Sequence, residues 1–407
     1  MANRGYIFEA VWAAALAARF DKRIGDIEKM QNKQRSVNAF EKSASNRIDL
    51  QTLPRVNAKD VSNMLSQIWS NGKQLRKKTQ NDVHLKSRVK DWLNVSIGVP
   101  APVDNLISRM ISTGNFSEIY DFLNSAAAIV NSHSTLNSRV KRVAFNGTED
   151  EINITADGLV DQRTVKADVT VTIVTRDNKP NIPPFPVSCK VPGGEQFAQV
   201  SGGEWQKFVD LFETIGVSIL DSVKDTWHQS MQTYLDEDIF KKKYATRSAI
   251  ESTNIPTQVK NAAKRVYSSV ATSMNSNFPK QSFVDYVING FSNGVDTEVV
   301  KLVDKTVGGT KIMTGGKTLK IDEEFKNVML QLNYSATYSE TTEGSKIVIK
   351  AEGITKPIMQ FRYKWENKSN NPTRTNPTKT YSMYPRHYLE ALDGMFDIDP
   401  RTQKINV

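Results

Sequence analysis

The sequence predicts an α/β (α+β) chain, and three observations carry that prediction. Helix-like apolar patterning runs through much of the first 135 positions. At about residue 138 the pattern turns to strand-like alternation bounded by turn residues. After a second helical stretch, β-rich segments return over 305–363. With 407 residues the chain is too long for one small core, so one large domain with insertions or two domains are expected.

The elements follow in order. Residues 5–34 read as one helix, apolar all round from Tyr6 to Ala18 and charged in its second half, "DKRIGDIEKMQNKQR". The apolar half has Arg4 before it and faintly imitates a secretion signal. Glu9 and Trp12 lie inside it, however, and it is too short to span a bilayer. Residues 57–135 also read as helical, with an internal break at "GVPAPVDN". "SRVKRVAF", "EINITADGL", "TVKADVTVTIVT" and "FPVSCKV" read as strands, and a helix is expected from about 202, where Trp205, Phe208, Val209 and Phe212 recur at helical spacing. More helix is expected to about 300, then strands with hairpin turns at "TGGK" and "TTEGSK", and a loop-like basic tail over 367–388. The expected organisation is a first helix (1–34), a helical insertion (35–137), a central sheet with following helices (138–300) and a β-rich C-terminal extension (301–407).

Composition narrows the function classes. Lys and Arg number 54 against 44 Asp and Glu, a formal charge of +10, which favours an acidic partner such as DNA. Lys77 and Lys78, in "GKQLRKKTQ", form one candidate contact patch; a solvated helix face or loop explains the same residues. Cys189 is the only cysteine, which excludes an internal disulfide and a cysteine-based zinc site and suits a reducing, cytoplasmic (intracellular) setting. The four histidines are scattered and none forms a zinc-hydrolase motif.

One polar constellation stands out. Alternation puts Val165, Ala167, Val169, Val171 and Ile173 on one strand face and Lys166, Asp168, Thr170 and Thr172 on the other. On the next strand Val187 and Cys189 share a face, with Ser188 and Lys190 opposite. A turn near Asn178–Lys179 brings Asp168 across from Ser188 and Lys190. A cross-strand ion pair on a wet sheet face is one reading of this patch. A catalytic set is the other.

"KAD" (166–168) followed by "SCK" (188–190) resembles the acidic motif and the (D/E)-x-K motif of the PD-(D/E)XK, or restriction-endonuclease-like, nuclease superfamily. The likeness covers mainly residues 139–215 and the first helix. It implies an αβββαβ core and Mg2+-dependent hydrolysis of DNA phosphodiesters, with Mn2+ as a substitute. Two departures are visible: no proline precedes Asp168, and Ser188 stands where a carboxylate is usual. In S-x-K variants of the superfamily the missing carboxylate comes from the following helix, which points to Glu204, with Glu195 competing.

The resemblance thus implies Asp168, Glu204 and Glu9 as metal ligands, Lys190 on the attacking water and Ser188 as a hydrogen-bonding neighbour. Gln196 and Gln199, in "EQFAQ", are implied substrate contacts. Glu9 is the lone charge between Arg4 and Arg19 on the apolar helix; a salt bridge would also explain it. "SGGE" (201–204) equally fits a capping box in which Glu204 closes a helical turn. A homodimer would suit double-strand cutting. The rival to an enzyme is a basic nucleic-acid-binding or assembly protein with a degenerate nuclease-like core, which Ser188 favours.

Overall fold

The computed structural model describes residues 4–38, 53–76, 82–142, 150–156, 168–175, 182–192, 196–204, 208–236, 257–292, 296–307, 310–341, 344–370 and 380–406. Helix α1 (Arg4–Asn38) has its apolar half enclosed on every side, from Ile7 to Ala18. Its six alanines over 10–18 let neighbouring elements approach closely, while Phe8, Trp12, Leu16 and Phe20 fill the space between them. Each such large side chain contributes about 1.5–3 kcal/mol on burial. Helix α2 (Ala58–Asn71) opens on a capping box in which Asn57 and Asp60 satisfy each other's backbone N–H.

Strands β1 (Gly72–Arg76), β2 (Asp82–Lys90) and β3 (Leu93–Pro100) come next, which corrects the helical reading of this region. The reason is visible in "LNVSIGVP": Leu93, Val95, Ile97 and Val99 are buried at a period of two, the strand spacing. Helix α3 (Ala101–Thr113) starts after Pro100 and stops at Gly114, whose φ of +65° ends the helix. Helices α4 (Tyr120–Ser132) and α5 (Ser134–Arg142) follow. The second corrects the strand expected at "SRVKRVAF", because Leu136 and Val140, four apart, are both buried.

Strands β4 (Asp150–Ala156), β5 (Val169–Thr175), β6 (Ile182–Lys190) and β7 (Gln196–Glu204) are followed by α6 (Phe208–Thr214), α7 (Asp221–Asp236), α8 (Thr257–Ser276) and α9 (Lys280–Ser292). The expected helix at 202 therefore begins only at Phe208, and "SGGE" ends a strand instead of capping a helix. Strands β8 (Thr297–Val307) and β9 (Thr310–Ile321), helix α10 (Glu323–Gln331), and β10 (Tyr334–Thr341), β11 (Gly344–Ala351), β12 (Met359–Asn370), β13 (Thr380–Leu392) and β14 (Gln403–Asn406) complete the chain. "TGGK" lies inside β9, not at a turn, whereas "TTEGSK" spans the β10–β11 hairpin, with Thr341 opposite Gly344. The tail expected to be loop-like is strand at 367–370 and 380–388, paired from Asn370–Thr380 down to Met359–Ala391.

The protein is a mixed α/β structure that divides into two compact units. Unit one comprises 1–193, 295–321 and 401–407 and holds, among the described residues, a nine-stranded mixed sheet, ordered β1-β2-β3-β4-β5-β6-β8-β9-β14. Within it β4, β5 and β6 form an antiparallel meander, and β8 runs parallel to β6. Helices α1, α2 and α4 bury their apolar faces with Val95, Ile154, Val171, Val187 and Val300 in one core. Unit two comprises 194–294 and 322–400 and holds, among the described residues, a five-stranded antiparallel sheet, β10-β11-β12-β13-β7. Its core gathers aromatic rings: Phe212 lies 5.6 Å from Tyr267 and 5.2 Å from Phe361.

Candidate functional site

The β4–β5–β6 meander forms because each strand sends every second residue into the core: Ile152 and Ile154, then Val169 and Val171, then Phe185, Val187 and Cys189. The other face carries half-buried Thr170, Thr172, Ser188 and Lys190. The β5–β6 ladder opens at Val169 opposite Val187, so Asp168 sits one residue before its first rung. Its backbone N–H still donates to the Val187 carbonyl at 3.0 Å.

The Asp168 side chain then takes over where the ladder stops. Its Oδ2 accepts the backbone N–H of Cys189 at 2.7 Å, the Ser188 hydroxyl at 3.0 Å and the Lys190 ammonium at 2.9 Å. All its side-chain bonds go to that one oxygen; Oδ1 accepts none among the described residues. The ion pair is 30% exposed at Lys190 and 25% at Asp168, wet enough for a ligand to reach. Ser188 spends its proton on Asp168, so it acts here as a donor and cannot stand in for a second carboxylate.

Glu9 shares this neighbourhood from α1. Burial pushes the Cys189 thiol well up, and the negative charges of Asp168 and Glu9 push it further, against the opposing pull of Lys190. Burial also raises the Tyr6 phenol, with Glu9, Asp82 and Asp168 adding to the effect. Three carboxylates from three elements therefore act on one tyrosine. Tyr6 and Asp82 are additions to the residues picked out from sequence. Tyr6 was detectable, since it lies three residues before Glu9 on the same helix face. Asp82 was not, because its strand lies in a region read as helix.

The structure thus brings Asp168, Ser188 and Lys190 together, and Glu9 acts electrostatically on Cys189, the residue between the last two. Glu204, Gln196 and Gln199 fall on β7 in unit two, with Glu204 opposite Arg386 and Gln199 opposite Glu390. Lys77, Lys78 and Glu195 lie outside the described residues. Among the described residues, no group of three or more His, Cys, Asp or Glu side chains is placed to hold a metal ion. Mg2+ does not require such a group: it keeps several waters and takes one or two carboxylates together with phosphate oxygens. The open Oδ1 of Asp168, with Glu9 as second acid, fits that modest demand. Also among the described residues, no helix is long and apolar enough to cross a membrane. Comparison with protein-family models, curated proteins and solved structures finds no match to this chain.

Proposed function

We propose that unit one is a restriction-endonuclease-like nuclease core and that the protein hydrolyses phosphodiester bonds of DNA with Mg2+ or Mn2+. The observation that carries the reading is the Asp168 carboxylate held by Ser188, Cys189 and Lys190 at adjoining ends of two antiparallel strands. The chain order supports it: one buried helix, a three-stranded meander, then a fourth strand parallel to the third. That order agrees with the first helix and the four strands of an αβββαβ core, with α2, β1–β3 and α3–α5 inserted after the first helix; residues 194–294, where the second helix would fall, belong to unit two.

In this reading Lys190 holds the attacking water and offsets the negative charge that develops on the phosphoryl oxygens. Asp168 keeps the ammonium in place through Oδ2 and presents Oδ1 to the cation. Glu9 supplies the second carboxylate from α1, and Tyr6 and Asp82 border the pair. When bound, the metal supplies Lewis-acid charge neutralisation and a water of lowered pKa. The reading uses residues of unit one alone. A lone, buried, unbridged Cys189 suits the intracellular setting that is part of the proposal. A homodimer would offer one site to each strand.

A second reading has a specific observation behind it. Ser188 stands where the resemblance expects a carboxylate and donates its proton to Asp168, an arrangement that suits a DNA-binding protein with a degenerate core. Incubation with plasmid, linear and single-stranded DNA across a Mg2+ and Mn2+ titration separates the two. Cleavage that EDTA abolishes supports the enzyme; retention of DNA without cleavage at any metal concentration supports the binder.

A further inference from the structure

Unit two carries an open groove of about 480 Å3 that the proposed nuclease chemistry does not use. Leu220, just before α7, and Val223 within it supply an apolar wall, and Leu220 is 69% exposed. Exposure of that degree leaves apolar surface for something to cover. From α8, Arg265, Ser268 and Ser269 line the groove at i, i+3 and i+4, so a guanidinium and two hydroxyls share one helix face. Arg265 is exposed and makes no hydrogen bond or ion pair among the described residues. Its neighbour Lys264, by contrast, is committed to Glu340 across the groove at 2.8 Å.

The remaining wall is Tyr338 on β10, whose hydroxyl oxygen is buried without a hydrogen-bond partner. The volume falls within the range of small-molecule sites. A free guanidinium beside two hydroxyls matches a phosphate group, which arginine binds through paired N–H donors. The apolar wall and the tyrosine ring match a flat base.

We propose that this groove binds a nucleotide unit, with its phosphate on Arg265, Ser268 and Ser269 and its base and sugar against Leu220, Val223 and Tyr338. The same chemistry is offered by a free mononucleotide and by one residue of a single strand. The inference is independent of the nuclease reading, since binding here requires no cleavage.

The test uses the full chain carrying Asp168→Ala, so that cleavage does not consume the probe. It is titrated with 5′-dAMP, with deoxyadenosine, with inorganic phosphate and with a fluorescein-labelled ten-nucleotide oligodeoxynucleotide. The same titrations are run after adding Arg265→Ala or Tyr338→Ala, with melting temperature as the control for folding. The expected result is at least a tenfold weakening on Arg265→Ala. Tyr338→Ala should weaken binding severalfold, because it removes the ring face offered to the base. Tight dAMP binding identifies a free nucleotide as a sufficient ligand; binding of the oligonucleotide alone identifies a strand. Binding that survives either substitution undiminished, or no binding of either phosphorylated nucleotide probe at millimolar concentration, overturns the proposal.

Discussion

At the scale of single residues, Asp168 and Lys190 should separate structural from chemical roles. The Asp168 carboxylate accepts a backbone N–H as well as two side-chain donors. Its removal strips partners from half-buried groups, a loss of about 1–3 kcal/mol. Lys190 contributes only a partly exposed ion pair, worth about 1 kcal/mol or less once solvent screening is allowed for. Denaturant unfolding should therefore show Asp168→Ala costing more stability than Lys190→Ala; equal costs would contradict this account of the patch.

A second residue pair governs acid stability. His133 accepts the Leu136 N–H on Nδ1 at 3.3 Å, and its Nε2 lies 2.6 Å from Glu298 Oε2. Burial alone would raise the Glu298 carboxyl, but His133, helped by Thr135 and Lys320, outweighs it and holds the group below its ordinary value. A carboxylate depressed in the folded state stabilises the fold above the unfolded-state pKa, about 4.3. That contribution is lost as pH falls through the lower folded value. The stability gap between wild type and Glu298→Gln should accordingly shrink between about pH 5 and pH 2. A gap that stays constant over that window would rule out this linkage.

At the scale of elements, legibility followed local pattern. Strands β4 to β6 were readable because a two-residue alternation and turn residues sufficed, and with them came the juxtaposition of Asp168, Ser188 and Lys190. Glu9 was readable as the one charge on an apolar helix. What failed depended on distant partners. "TGGK" looks like a turn, yet its glycines sit inside β9 because other backbone and side chains need the space. Gly315 has φ +150°, and a side chain there would overlap the Ile405 carbonyl; one at Gly316 would meet the Ile129 Cδ1 at 2.5 Å. These two residues make half of the four pairs between β14 and β9, Ile405 opposite Gly316 and Asn406 opposite Gly315. Gly315→Ala should release β14, with backbone strain of about 1–3 kcal/mol. Amide exchange at Ile405 should then quicken at least tenfold while Val171 and Val187 are unchanged. Unchanged exchange at Ile405 would show that β14 is not held in this way.

At the scale of the whole molecule, the excess of ten positive charges is the property most directly tied to a DNA partner. Each phosphate neutralised should weaken binding about threefold between 50 and 200 mM salt, through counterion release. Binding that is flat over that range would assign the charge to another purpose. The basic stretches at 77–78, 241–243 and 374–379 lie outside the described residues, so their contribution is a matter for substitution. The most direct test of the central claim is single-turnover cleavage of a defined DNA duplex in Mn2+ by wild type, Asp168→Asn and Lys190→Met, with folding checked by thermal melting. The account predicts cleavage by wild type that EDTA stops, and a loss of at least a hundredfold in each folded variant. Wild-type rates in both variants, or no cleavage by the wild type in any divalent metal, would contradict it.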